Sequence, residues 1–312
     1  MNTVLNRRNL LTGAAALPLG SVAATGFAQS APAGAPVIGR VSPQYQLGNM
    51  KFTQLLDVSG FKDDPKAEYG VSVTDEEFAK VSAANFIPAD ALQFYMSPTL
   101  IETAGQKILV DTGVGKGGLE KSLAEAGVSP DDIDIVVITH MHPDHIGGLM
   151  ADGLPIYKNA RYVTGSDEYN FWAKMDEGNF VGDMVRRLFT PLAERATFLG
   201  NGGEVVSGIS LEASFGHSPG HMCVRLESEG QQIMMTADLA NHYIWSFAEP
   251  DWAFKFDANP EAASSARRQV LGMLAADQIP MIGYHMPFPG VGYVETRGNG
   301  FRFVPASYQL LG

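Results

Sequence analysis

Residues 138–150 read ITHMHPDHIGGLM, and their centre, His140-Met141-His142-Pro143-Asp144-His145, sets four metal-type side chains within six positions. The chain has seven histidines, and none precedes His140. The stretch follows IDIVVIT (133–139), a β-branched apolar run that reads as a buried strand. Side chains two apart in an extended segment share a side, so His140 and His142 can grip one ion. Pro143 then breaks the strand, which frees Asp144 and His145 to face a second ion. Gly147-Gly148 allow close backbone approach and a sharp turn.

Other metal-type residues follow the same rule of placement. His217 and His221 lie in FGHSPGH (215–221), a turn after a strand. Asp238 ends the run IMMTAD (233–238), and His285 follows IPMIGY in IGYHMPFPG (282–290). Loops at strand ends collect ligands into one site. Two sets can be assembled: His140, His142 and His217 on one ion, and Asp144, His145 and His285 on the other, with Asp238 between them. Imidazole and carboxylate without thiolate suit zinc, with manganese, cobalt or iron as alternatives. His221 is expected to orient its loop rather than bind metal.

Composition narrows the class. The chain of 312 residues is 45% hydrophobic and 18% charged, an ordinary globular balance, with net charge −12. An acidic surface without a basic patch repels phosphate backbones, so nucleic acid is not an expected partner. Residues 1–28, with NRRNLLT (6–12) ahead of an Ala/Gly-rich apolar run, read as an export signal of the twin-arginine type, which implies a periplasmic or secreted protein. No later run reaches the roughly 18 apolar residues of a membrane span. The single cysteine, Cys223, excludes an intramolecular disulfide.

Residues 29–44 are Pro/Ala/Gly-rich and read as a linker or arm, and 45–312 as one domain. Alternation on both sides of Glu229-Gly230 predicts a hairpin. Helical spacing covers 117–127, 166–197 and 259–276, the last with Asn259 as N-cap and Pro260 in the first turn. Strand groups interspersed with helices predict a layered α/β fold.

With these residues in place, the chain resembles the binuclear hydrolases of the metallo-β-lactamase fold. The family pattern HxHxDH, then His, Asp and His, matches residues 140, 142, 144, 145, 217, 238 and 285. Asp111 in ILVDTG (108–113) matches the family's strand-end aspartate, which supports ligand histidines from behind. ITHMHPDHIGGLM, the pair Phe171-Trp172 and the tail FPGVGYVETRGNGFRFVPASY (288–308) are most similar to the methyl parathion hydrolase-like subgroup, over roughly residues 45–312. Ser218, Met222 and the segment NHYIWSFAEPDWAF (241–254) depart from it, which leaves substrate preference open.

The resemblance implies an αββα sandwich with two divalent metal ions per chain, zinc foremost. A hydroxide bridging the ions attacks a carbonyl or phosphorus, positioned by Asp238, with Asp144 as the candidate acid. The implied substrates are small neutral esters, foremost organophosphate triesters, with lactone and aryl ester activity beside them, and a homodimer is a candidate assembly. Phe171, Trp172, His242 and Trp245 are candidate pocket residues. The alternatives are an acyl-homoserine lactonase or arylesterase as the main activity, and an exported metal-binding protein without turnover. A thiolate-dependent β-lactamase is excluded by aspartate at 238.

Overall fold

Alternation along the central strands assigns each side chain to one of three apolar layers. The computed structural model describes residues 42–306. The export signal and nearly all of the arm lie outside these residues, and the arm's last residue, Gln44, already opens a strand. Numbering only the strands of the two large sheets, the first sheet runs in sequence order β1 (Gln44–Leu47), β2 (Met50–Gln54), β3 (Thr99–Thr103), β4 (Gln106–Val110), β5 (Ile135–Ile138), β6 (Arg161–Gly165) and β7 (Ala196–Leu199). The second sheet runs β8 (Glu204–Val206), β9 (Ile209–Ala213), β10 (Met222–Ser228), β11 (Gln231–Ala237), β12 (Met281–Gly283), β13 (Val291–Arg297) and β14 (Gly300–Pro305).

Side chains alternate across a strand, so each strand of a sandwich sends every second residue into the gap between the sheets. Ile108, Val110, Ile135 and Val137 of the first sheet meet Met222, Val224, Ile233 and Met235 of the second in one buried cluster. The intervening residues face helices. Leu109, Val136 and Ile138 pack with Leu119 and Leu123 of helix α1 (Gly118–Glu125). Cys223 and Met234 pack with Leu271 and Leu274 of the helix Pro260–Asp277. Burial on both faces explains why β5 is apolar at every position. The result is the expected layering of helix, sheet, sheet and helix.

The predicted hairpin forms between β10 and β11, with Glu229 at φ 51° and Gly230 at φ 75°, as a two-residue turn demands. Asn259 caps the long helix by accepting from the Ala262 amide, with Pro260 first in the helix. The helical stretch expected over 166–197 is broken up. It forms α2 (Ser166–Trp172), α3 (Phe180–Leu188), a 3-10 segment at Thr190–Arg195, and the start of β7. The first helix ends at Trp172, the chain turns at Gly178 (φ 90°), and the Asn179 side chain accepts from the Gly182 amide to start the next helix. Periodicity carried across these breaks because all pieces pack against one layer.

Topology brings the site together. Strands β4 and β5 are parallel, as are β11 and β12, so each pair ends at one edge of its sheet. Asp111 and His140 follow the first pair, and Asp238 and His285 follow the second. The loops meet where the Met222 amide donates to the Thr139 carbonyl (3.1 Å). Among the described residues, no helix is long and apolar enough to cross a membrane.

Candidate metal centre

After β5 the chain runs through His140 and Met141 to a single helical turn at Pro143–Ile146, with His142 just ahead of it and Pro143 first in it. This turn lies before Gly147-Gly148. A side chain at Gly148 would sit 2.2 Å from the Thr112 carbonyl oxygen, so this position accepts only glycine. Two residues beside the site carry positive φ, Asp111 at 62° and Ala237 at 43°. Ala237 has no polar side chain to offset that conformation, so the backbone ahead of Asp238 is strained.

The seven residues expected to converge do so, in three overlapping groups: His140, His142 and His217; His140, His145 and Asp238; and Asp144, His145 and His285. His142 Nδ1 lies 2.9 Å from His217 Nε2 and 3.1 Å from His140 Nε2. Asp238 stands in the middle. Its Oδ1 faces His145 Nε2 at 3.1 Å, while Oδ2 faces His285 Nε2 at 3.2 Å, His217 Nε2 at 3.3 Å and His140 Nε2 at 3.9 Å. Asp144 Oδ2 is 3.4 Å from His285 Nε2 and 3.7 Å from His145 Nε2. His140, His145, His217 and Asp238 are buried, whereas His142, Asp144 and His285 are partly exposed and form the open rim.

Neighbours behind the rings decide where their protons sit. His145 Nδ1 is 2.8 Å from Asp111 Oδ2, His217 Nδ1 is 3.1 Å from Asp257 Oδ1, and His285 Nδ1 is 2.8 Å from the Tyr95 carbonyl. Carboxylate and carbonyl oxygens only accept, so each Nδ1 carries hydrogen and donates. In each neutral ring the inward Nε2 is then a lone pair. These lone pairs converge on one another and on Asp238. His145 Nε2 and Asp238 Oδ1 are both buried without a hydrogen-bond donor. Acceptors that meet this closely require cations between them, and nitrogen and oxygen donors without thiolate fit divalent ions of the zinc type. The only cysteine is buried elsewhere, against Ser214.

Electrostatics in the metal-free protein tell the same story. Burial, reinforced by neighbouring imidazoles, holds His140 and His142 well below the usual histidine range. Burial also opposes charge on His145 and His285. Nearby carboxylates, Asp238 foremost, outweigh it and raise both. Asp238 resists the upward push of burial because His285 and His145 hold its carboxyl well below the usual range. Protons here occupy places that metal ions take over.

The supporting residues differ in how visible they were. Asp111 accepts from the Thr139 amide (2.9 Å) and contacts His145. His221 Nε2 accepts from the Asp238 amide (3.1 Å), and its Nδ1 lies 2.7 Å from Ser214 Oγ. Trp172 lies 6.1 Å, ring to ring, from His142. Phe171 is exposed beside it. Trp245 is not a pocket wall. It is 1% exposed, donates to Ser82 Oγ and stacks on Phe78 within a separate apolar cluster. His242 stacks on Trp245 and accepts the amides of Ile244 and Trp245, and burial lowers its pKa to about 3, so it stays neutral. Both residues pack the loop after Asp238 because aromatic bulk is better spent in a core than beside water.

Four residues escaped the sequence reading. Glu168, fully buried, accepts from the Met141 amide, the Trp172 indole, Ser218 Oγ and the Gly220 amide, at 2.7–2.8 Å. It thus ties the His140-His142 segment to the His217–His221 loop. Asn241 donates to Asp238 Oδ2 (2.8 Å), and Tyr284 donates to the Asp144 carbonyl (2.6 Å). Asp257 backs His217. Glu168→Ala should cost on the order of 3 kcal/mol or more of unfolding free energy, because it strands several buried donors at about 1–3 kcal/mol each. Denaturant unfolding of the metal-free protein measures this, and a loss below about 1 kcal/mol would contradict the clamp.

The family model for the Metallo-beta-lactamase superfamily matches residues 95–280, more than half of the chain. The chain belongs to the metallo-β-lactamase superfamily. Within it, the exodeoxyribonuclease WalJ of Streptococcus pneumoniae is 32% identical over 80 residues, 24% of this chain and 30% of that protein. An N-acyl homoserine lactonase of Bacillus thuringiensis is 26% identical over 165 residues, 45% of this chain and 61% of that one. The matches therefore span under two thirds of these relatives. Among solved structures, the dizinc quorum-quenching lactonase AidC aligns over 86% of this chain and 99% of its own, with TM-score 0.77 and 24% identity. The hydrolase AbOPH aligns over 86% and 98%, with TM-score 0.78 and 23% identity. At such identities these two show the shared superfamily fold.

Proposed function

We propose that this superfamily hydrolase holds two divalent ions, zinc foremost with manganese, cobalt or iron as alternatives, and cleaves small uncharged esters. The observation that carries the reading is the convergence of imidazole nitrogens on Asp238, with His145, His217 and His285 each fixed from behind by an acceptor. His140, His142 and His217 would hold one ion, and Asp144, His145 and His285 the other, with Asp238 shared. Bound there, two such ions would supply a hydroxide nucleophile at neutral pH and Lewis-acid polarisation of an ester oxygen. Asp238, buried and backed by Asn241 and His221, keeps the two ligand sets in register and orients the attacking water. Asp144, on the open rim, is the candidate to relay the proton released by the attacking water to the leaving oxygen.

Neutral substrates fit the charge pattern. Among the described residues, no lysine or arginine pairs with any of the seven, so the ligand cluster itself carries no guanidinium or ammonium group that would favour a doubly charged phosphate. The Trp172 ring beside His142 offers an apolar wall for an acyl or aryl group. Lactones are supported by the homoserine lactonase relatives, and organophosphate triesters and aryl esters by the resemblance to the methyl parathion hydrolase-like subgroup. Export through residues 1–28 belongs to the same proposal.

A panel of a long-chain homoserine lactone, a phenyl ester and an organophosphate triester, assayed with zinc, manganese or cobalt, tests the reading. The lactone and phenyl ester are expected to give the higher kcat/KM, and a chelator should abolish all turnover. Turnover of none of them refutes the ester hydrolase and leaves a metal-binding protein. A dominant triesterase activity would instead rank the organophosphate first.

A further inference from the structure

Each ligand set contains one histidine backed by a buried carboxylate. Asp111 backs His145 in one set, and Asp257 backs His217 in the other. The other fixed rings lean on neutral groups, His140 on the Thr139 hydroxyl (3.2 Å) and His285 on the Tyr95 carbonyl. Asp257 is not a stray surface acid. Its side chain is fully buried, and its Oδ2 accepts from the Phe254 amide and from Arg267, both at 3.3 Å.

Arg267 is itself 1% exposed. Besides Asp257, it donates to the carbonyls of Leu239 (2.8 Å), Pro250 (2.8 Å) and Trp252 (3.4 Å). Leu239 directly follows Asp238, so one guanidinium ties the Asp238 loop to the carboxylate behind His217. The backbone adds two clips: the Ala258 amide donates to the His217 carbonyl (3.0 Å), and the Asn259 amide to the Gly216 carbonyl (2.9 Å). The segment 250–259 is thereby laid along the His217 loop. A buried charged pair of this kind is costly unless its hydrogen bonds are satisfied, and here both members are held several ways.

We propose that Asp257, held by Arg267, is a positioning residue that fixes the His217 ring and sets the affinity of the ion held by His140, His142 and His217, as Asp111 does for the other ion. The proposal rests on the two-ion reading above. A carboxylate behind a ligating imidazole fixes the ring, keeps hydrogen on Nδ1 and raises the basicity of Nε2; losing such a group typically costs 10- to 100-fold in metal affinity. In Asp257→Asn, the single amide oxygen must serve either His217 or Arg267.

The test is stepwise zinc binding to the full chain against a competing chelator, with unfolding of the metal-free protein as the control for folding. Asp257→Asn is expected to weaken one of two binding steps by about 10- to 100-fold and leave the other unchanged. Anomalous scattering at limiting zinc should show the lost ion beside His217. Asp111→Asn should weaken the opposite step. A folded Asp257→Asn protein with both steps at wild-type strength overturns the proposal. Should that variant not fold, Arg267→Lys decides: it keeps the charge but cannot span Leu239, Pro250 and Asp257, so the same step should weaken several-fold. Unchanged binding in a folded Arg267→Lys protein overturns the proposal as well. Wild-type protein that binds fewer than two ions is a separate result, which removes the two-ion reading itself.

Discussion

Replacing His142 with alanine is expected to lower kcat/KM by about 10³-fold or more on whichever ester proves best, because losing a metal ligand removes several kcal/mol of transition-state stabilisation. His142 Nδ1 stands within 2.9 Å of His217 Nε2 and 3.1 Å of His140 Nε2, so its loss opens one whole ligand set. The ring lies at the partly exposed rim, outside the apolar clusters. Metal-free His142→Ala should therefore unfold close to wild type. Steady-state kinetics with added zinc, alongside thermal unfolding, check both halves of this expectation. A variant that keeps more than about a tenth of wild-type kcat/KM would refute the assignment of His142.

Asp238→Asn should be harsher, on the order of 10⁴-fold in kcat/KM, because it touches both ligand sets at once. Its two oxygens face four imidazole nitrogens, at 3.1, 3.2, 3.3 and 3.9 Å. The amide keeps the size of the side chain and leaves the Asp238 backbone contact with His221 in place. What it removes is the buried negative charge that would balance the two proposed cations. Elemental analysis should show metal content falling to one ion or fewer per chain, against two in wild type. Unchanged metal content in a folded Asp238→Asn protein would show that the carboxylate is not shared.

Much of this centre was legible in the sequence because its chemistry is local. His140 and His142 announce a shared face through strand spacing. Asp144 and His145 follow a proline that opens a single helical turn after the strand. His217, Asp238, His285 and Asp111 each sit where an apolar run stops, which is where a layered fold gathers its loops. A layered α/β fold was legible from strand groups interspersed with helices, and the sandwich came from the family resemblance.

What escaped depends on contacts that are remote in the chain. Glu168 reads as an acid in the first turn of a helix, yet its partners include Gly220, 52 positions away. Asp257 reads as a loop acid ahead of a helix cap, and only the fold sets it behind His217. Trp245 and His242 misled in the opposite direction. Aromatic residues just after a ligand suggested a pocket, whereas a separate apolar cluster with Tyr69 and Phe78 claims that bulk. The 166–197 stretch misled because its broken helices share one buried layer and so one periodicity.

The central claim is a two-ion site centred on Asp238, and the most direct test is to count metal in purified full-length protein. Elemental analysis after zinc loading and removal of free ions should give two ions per chain, with both lost, and all ester turnover with them, on exhaustive chelation. One ion per chain, none, or full turnover in metal-free protein would contradict the account.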